Sequence, residues 1–526
     1  MGPDLVLLNG KVFVPGADPA HRFAQAIAVA GDRVLAVGTS AEIAAMADAH
    51  TRRVELKAHV VIPGLNDAHF HHTPDPRATR IVTSFEPTWE EVLDALSAAV
   101  KEASIGTWIL GTHGIQVVND PRATRFELDR VAPNHPVRSN CYFGHGSLIN
   151  TKAMAALAMS EEEPDPLGGC CERVANTNRI TGKLFGYAQW GPWRRLADKA
   201  SISEAVSDAQ QLAREAVGLG ITSMQNMSLL GSDRYVEVLK QAELPIRVRV
   251  IRFPATRLGA RDLNEGRRLP KHPGETGRIT VSGTKWLLDG TPLERRAHLR
   301  KEYRDRRGWS GQFYLPEDEM RAMLRESLQD DGPLLVHAVG DKTAESFLNA
   351  MDAEGGRAKW GNRRVRIEHG DGLLPDLIPR ARDLGVVVVQ NPSHFVFKDI
   401  FVARYGEKFD YVPARSLIDA GIPFALGSDG PMNPYLNLMF AVTHPGRPAE
   451  ALSMEQAVDA YTQGSAFAEF QENEKGTISP GKLADLAVLS QDIFAAPVDS
   501  VPATTSVLTI VGGKVVHNSE TLTVPN

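Results

Sequence analysis

The feature that most constrains this chain is a repeated spacing. Eight short apolar runs lie at 60–67, 219–227, 246–253, 279–288, 333–338, 364–369, 385–391 and 423–428. Helical stretches fall between most of them. Pro316 to Leu328 and Lys342 to Met351 carry apolar residues at three- and four-residue steps, the period of one helix face. Strand and helix alternating in this way imply an α/β fold in which parallel strands close into a (β/α)8 TIM barrel. Such a barrel takes about 250 residues. The span 60–430 is well beyond that, and the excess lies after the first run, over 75–205.

That excess contains Trp108, Trp190, Trp193, the adjacent Cys170 and Cys171, and a Glu161-Glu162-Glu163-Pro164 run. It is too rich in aromatic and apolar residues for a disordered linker. It reads as an insertion, a lid or substrate domain. The two ends of the chain resemble each other. Strand–turn–strand patterns occur at Asp4 to Phe13 and Ala26 to Gly38, and strands recur at Ala484 to Leu489 and Ser506 to Val516. One small β-sandwich formed from both termini is the expectation. The expected layout is therefore 1–58 and 476–526 as the sandwich, 59–74 and 206–475 as the barrel, and 75–205 as the insertion.

Composition narrows the partners. The formal net charge is -6 with no basic stripe, which argues against nucleic acid. No run approaches the roughly 18 apolar residues of a membrane helix. The start, Met1-Gly2-Pro3-Asp4, has no basic region followed by an apolar core, so no secretory signal is expected. Cys141, Cys170 and Cys171 make neither a disulfide framework nor zinc-finger spacing. Reduced thiols in a cytoplasmic protein are the expectation.

Barrel enzymes carry their reactive residues at the C-terminal ends of strands. The first run leads into Pro63-Gly64-Leu65-Asn66-Asp67-Ala68-His69-Phe70-His71. Alternation along a strand puts His69 and His71 on one face and Phe70 on the other. Two imidazoles on one face suit a divalent metal. Such a step among 16 histidines is weak by itself. The fourth run carries Lys285 within Thr280 to Gly290, the fifth ends in His337, the sixth in His369 and the eighth in Asp429. His337 and His369 are about one βα repeat apart, which places them on adjacent strands at equal height. Each residue has an ordinary alternative: a hydrogen-bonded core histidine, a snorkelling lysine, an Asp-Gly turn. Together, five of eight strand ends carrying a ligand-type residue point to a metal centre at one mouth of the barrel.

In these motifs the chain resembles the metal-dependent amidohydrolase superfamily. They are the His-x-His segment, Lys285-Trp286-Leu287-Leu288-Asp289-Gly290, His337-Ala338-Val339-Gly340-Asp341, Ile367-Glu368-His369 and Gly427-Ser428-Asp429. The nearer likeness is to its family 3 branch, which includes N-substituted formamide deformylase-like hydrolases. The tail Gly476-Thr477-Ile478-Ser479-Pro480-Gly481-Lys482-Leu483-Ala484-Asp485-Leu486 is similar to that superfamily too. So are Gly144-His145-Gly146 and Asn150-Thr151-Lys152-Ala153, although Phe143 stands where the branch has Asp.

The resemblance implies that His69 and His71 bind one metal near Asp429, and that His337 and His369 bind a second. It implies that CO2 carbamylates Lys285 into a carboxylate-like bridge. Two zinc ions are expected, with manganese or iron as alternatives. The reaction implied is cleavage of a C–N amide-type bond (N-acyl, N-formyl, carbamate or cyclic amide) of a small molecule by a metal-activated hydroxide. Asp429 would take the water proton and pass it to the leaving amine. Asp67 would support a ligand or cap a loop, and His72 would not ligate.

A deaminase of the same superfamily is the nearest alternative. It calls for Glu three residues after the fifth-strand His, where this chain has Gly340. A non-catalytic scaffold is a further alternative, opposed by the full set of ligand-type residues. Substrate contacts are assigned to His145, Arg295 and Trp108. Arg296, Trp190, Trp193, Phe143, Phe395 and Phe397 read as either pocket or ordinary core and loop. A homodimer is also an expectation for a barrel of this kind.

Overall fold

Strands such as Val387-Val388-Val389 and Leu334-Leu335-Val336 are apolar at every position, so they need cover on both faces. The computed structural model, which describes residues 2–15, 22–263, 269–274, 277–329 and 332–525, shows how they get it. Its centre is one sheet of eight strands: β1 (Leu65–Phe70), β2 (Ile221–Asn226), β3 (Arg247–Arg252), β4 (Ile279–Leu287), β5 (Leu334–Ala338), β6 (Arg366–His369), β7 (Val387–Gln390) and β8 (Phe424–Leu426). They lie side by side in chain order. Every neighbouring pair is parallel. The sheet curls until its edges nearly meet. Beyond β8, the Ser428 N–H donates to Asp67 Oδ1 at 2.9 Å, and the Asp429 N–H donates to the His69 carbonyl at 3.0 Å.

Each of the eight expected runs holds one strand, with one adjustment at the first. The run 60–67 is two strands. Val60–Pro63 joins a terminal sheet, and the barrel strand begins at Leu65. Gly64 marks the change of partner; a Cβ there would meet the Thr222 side chain at 2.2 Å. The helices lie outside the barrel. Ile202–Gly218 starts with a capping box (Ser201 with Glu204) and buries Ala205, Ala209, Ala213 and Ala216. Asp341–Ala353 follows β5 and buries Ala344, Phe347, Leu348 and Met351. Among the described residues no helix is long and apolar enough to cross a membrane.

The two ends of the chain come together. One six-stranded sheet takes Lys11–Phe13, Phe23–Ala24 and Val60–Pro63 from the start and Leu486–Leu489, Ser506–Val511 and Lys514–Asn518 from the end. A four-stranded sheet uses N-terminal strands alone. Leu5, Ile27 and Val54 of the second pack in one cluster with Val488, Leu508 and Ile510 of the first. Residues 78–186 hold a sheet of their own with six strands. It is packed on two separate apolar clusters, one around Leu96 and Ile109 and one around Leu110 and Leu184.

Closure leaves no room at Gly427. A Cβ there would meet the backbone nitrogen of His69 at 2.4 Å. Backbone cannot step aside as a side chain can. Gly427→Ala should therefore part β8 from β1 and destabilise the protein by about 1–3 kcal/mol, the cost of overpacking. Thermal or denaturant unfolding would read this, and an unchanged midpoint would refute the tight closure.

Candidate metal centre

The C-terminal mouth of the barrel gathers histidines. His69, His71, Lys285, His337, His369 and Asp429 all line one cavity of about 290 Å³. His69 Nε2 is 3.2 Å from His71 Nε2. Asp429 places its carboxylate oxygens 3.7 Å from His69 Nε2, 3.8 Å from His71 Nε2 and 3.8 Å from His369 Nε2. Ligand-type atoms of His69, His369 and Asp429 lie within 4.8 Å of one another.

The rings are aimed by their other nitrogens. His69 Nδ1 donates to Glu368 Oε2 at 2.5 Å, and His71 Nδ1 donates to the Met227 carbonyl at 2.9 Å. Each ring then turns a bare Nε2 inward, the arrangement that suits a metal-binding imidazole. Burial pushes the pKa of His69 down, and lost hydration among its neighbours lowers that of His71, whose ring still reaches solvent, to about 4. His337 and His369 are held well below their ordinary values by burial, and then by neighbouring imidazoles. Neutral imidazoles with one carboxylate are the N/O donor set that a divalent cation such as zinc prefers. The donor chemistry fits a metal.

Glu368 is fully buried, so its charge needs a partner. Arg366, two residues back on the same strand face, donates to it at 2.8 and 3.0 Å. Burial opposes the charge, but Arg366 and Lys285 outweigh it and hold the carboxyl well below the usual range. Asp429 is held low in the same way. Burial opposes its charge, and His69, His71, His394 and Lys285 outweigh it. Burial lowers the Lys285 amine to about 8.

Two ligand-type residues carry unusual backbone. His369 has φ 68° and Asp429 φ 37°, in the left-handed region that non-glycine residues rarely adopt. At His369 this breaks strand alternation. Arg366 and Glu368 turn inward as a strand requires, and His369 turns inward as well. The register pairs His337 with Glu368 and Ala338 with His369, so the two histidines are one residue out of step rather than at equal height. His337 Nε2 lies 3.3 Å from the Gly290 carbonyl and 3.7 Å from Asp289 Oδ1.

His145 reaches the cavity from the insertion, its ring 4.6 Å from that of His337. Trp190, Trp193 and Phe143 line the cavity as well. Trp108 does not; it packs in an insertion core with Leu110 and Leu184. Nor does Arg295, which donates to Asp305 at 2.8 Å. Arg296 lies over the Phe185 ring at 4.6 Å. Phe395 stacks on His444, centroids 4.0 Å apart. Asp67 accepts from the Ser428 hydroxyl at 2.6 Å and from the N–H groups of Ser428 and His69, so it ties together two ligand-bearing strand ends. His72 faces away, toward Tyr235 and Asp208.

Sequence reasoning missed two participants. Glu368 stood in a quoted motif without a role, because alternation puts it opposite a ligating His369. His394 follows β7 in Asn391-Pro392-Ser393-His394, and a histidine just past a strand end was its signal. Its Nε2 is 3.2 Å from the Asp429 carbonyl and 3.8 Å from Oδ2.

Removing the Glu368 charge should free the His69 ring and strand Arg366. Glu368→Gln is expected to weaken divalent-metal affinity by about 10–100-fold. Competition with a chromogenic chelator measures this; wild-type affinity in a folded variant would refute the positioning role.

A model of the amidohydrolase family matches residues 52–517. The chain is 27% identical over 548 residues to the protein LONG AFTER FAR-RED 3 of Arabidopsis thaliana, spanning 97% of this chain and 91% of that one. It is 25% identical over 530 residues to N-substituted formamide deformylase of Arthrobacter pascens, spanning 94% of both. In fold it is similar to an uncharacterized metal-dependent hydrolase from Pyrococcus horikoshii OT3, with a TM-score of 0.72 and 19% identity, over 94% of this chain and 99% of that one. With the match covering most of its length, the chain belongs to the amidohydrolase family.

Proposed function

We propose that this hydrolase cleaves a C–N amide-type bond of a small molecule at the histidine-lined mouth of the barrel. The observation that carries this is one buried cavity lined by His69, His71, Lys285, His337, His369 and Asp429. His69, His71 and Asp429 would hold one divalent cation, and His337, His369 and Lys285 a second, with zinc the best match to the imidazole donors. Bound there, the metal supplies the acidity that makes water a nucleophile at neutral pH and polarises a carbonyl oxygen.

The chain's own groups do the rest. Asp429 is ionised, so an Oδ atom can accept the proton that water loses on adding to the carbonyl carbon. The same carboxyl then returns that proton to the nitrogen as the C–N bond breaks. Glu368 keeps the His69 ring from rotating. The buried Lys285 amine, with its pKa near 8, is uncharged in a sizeable fraction of molecules at mildly alkaline pH. A neutral amine can add to CO2, losing a proton and becoming a carbamate, which turns a cation into an anionic ligand.

Asp429→Asn should lower kcat by at least about 100-fold, the usual contribution of a general acid–base, with the far-ultraviolet spectrum unchanged. Near-wild-type turnover of an N-formyl or N-acyl amine would sink the assignment. Chelation should abolish activity, and zinc should restore it. Ammonia release from a nucleobase panel without amide hydrolysis would point to deamination instead.

Lys285 gives a pH prediction with a definite sign. Its pKa is lowered, so the amine deprotonates as pH rises through about 8. Reactivation of the metal-free, decarbamylated enzyme should accelerate with pH across that range and with added bicarbonate. Rates indifferent to both would count against carbamylation.

A further inference from the structure

The metal cavity is one of two adjoining chambers. The second is larger, about 510 Å³, and its walls include Phe85, Phe143, Phe397, Phe401, Leu436 and Phe440. That volume suits a small organic group. His145, His337, His369, His394 and Asp429 line both chambers, so the reacting residues stand at the junction. A bond cleaved there has one side in each chamber.

The metal-side chamber is differently equipped. Among the lining residues it takes from the insertion are Asn140, His145 and Trp193. Each holds a buried polar atom with no hydrogen-bond partner: Asn140 Oδ1, His145 Nδ1 and Trp193 Nε1. Nδ1 of His145 is 4.0 Å from Glu294, beyond hydrogen-bond reach. Buried polar groups are normally paired, so orphaned ones on three residues that line one cavity suit a partner that enters it. Asn140 Oδ1 can only accept and Trp193 Nε1 can only donate. A group with both a donor and an acceptor answers them. Charge is missing: among the described residues neither chamber is lined by an arginine, nor by a lysine other than Lys285. A substrate carboxylate would find no cation outside the reactive centre.

We propose that the substrate is an uncharged molecule whose scissile C–N bond joins a bulky apolar group to a compact neutral polar group. The apolar group occupies the larger chamber. The polar group, carboxamide-like, accepts from Trp193 Nε1 and donates to Asn140 Oδ1. This rests on the amide-cleaving reading above and narrows it, setting aside free N-acyl amino acids. It also gives the insertion a part in recognition beside the barrel's Phe397, Phe401, Leu436 and Phe440, while the barrel supplies the reactive residues.

Three matched amides test this with zinc-loaded enzyme: N-phenylacetyl-glycinamide, its n-propylamide counterpart and N-phenylacetylglycine. All release phenylacetate from the same bond. The glycinamide should show a kcat/KM at least about tenfold above the propylamide, since an unmet buried polar group discriminates by about that factor or more. The anionic glycine compound should be the poorest. Asn140→Leu and Trp193→Phe should each bring the glycinamide-to-propylamide ratio toward one; because both compounds are compared in one sample, partial unfolding cancels. Equal rates in wild type, a ratio unchanged in both variants, or a preference for the anion would overturn the proposal. Calorimetric binding of the same compounds separates it from the reaction reading. Tighter binding of the glycinamide without any hydrolysis would sustain the recognition site and overturn amide cleavage, whereas hydrolysis with equal affinities and rates would do the reverse.

Discussion

The site depends on one buried carboxylate. Glu368 lies between Arg366 on its own strand and the His69 ring on β1. β1 and β6 are not neighbours in the sheet, so this contact crosses the barrel interior. A lone carboxylate at that depth would neutralise itself or unfold its surroundings. It stays charged because Arg366 reaches it through two nitrogens. Arg366 is itself fixed by the Ala68 carbonyl at 2.8 Å and Gln225 Oε1 at 2.5 Å. Gln225 Oε1 also accepts from Arg249 at 2.9 Å. The His69 ring is therefore oriented by a polar chain drawing on β1, β2, β3 and β6, and it cannot turn without breaking a paired charge.

Barrel closure serves the same end. Asp67 accepts from Ser428, and His69 accepts from Asp429 through its carbonyl, so the first and last strands are joined by the backbone of their own ligand residues. Gly427 lets that backbone approach. The left-handed φ of Asp429 and His369 adds a cost of about 1–3 kcal/mol each. The surrounding hydrogen bonds and packing must offset it. What the fold gains is convergence: at His369 the turn brings inward a side chain that alternation would point away from the cavity.

Much of this was legible because it obeys period and order. The eight runs were visible as apolar segments, and their places in chain order matched the sheet order strand for strand. His69 and His71 followed from alternation. Glu368 did not, because alternation held for it and failed for its neighbour. No pattern in Ile367-Glu368-His369 announces that the backbone turns left-handed at the last residue. The division of 60–67 was hidden for another reason. Val60 to Pro63 read as the start of the barrel strand, and only tertiary pairing with Leu486 and Ala487 assigns them to a different sheet. Arg295 looked available because a sequence does not show its partner; Asp305 is ten residues on, across a loop.

The division between barrel and insertion has a physical logic. Metal-ligand geometry tolerates little movement, and residues at strand ends are braced by the ladder on both sides. Recognition of a substrate's distal groups can vary without disturbing that geometry, provided it is carried by a separately packed unit. The insertion has its own sheet and its own apolar clusters, although Trp193 packs against the barrel core rather than against them. His145 is one of several residues that join the two units, beside Tyr187, Trp190 and Trp193 on the barrel core. It comes from the insertion yet packs its ring against His337, so it couples the two units at the reacting end. Any change in the insertion that shifts His145 therefore reaches the cavity that His337, His369 and Asp429 line.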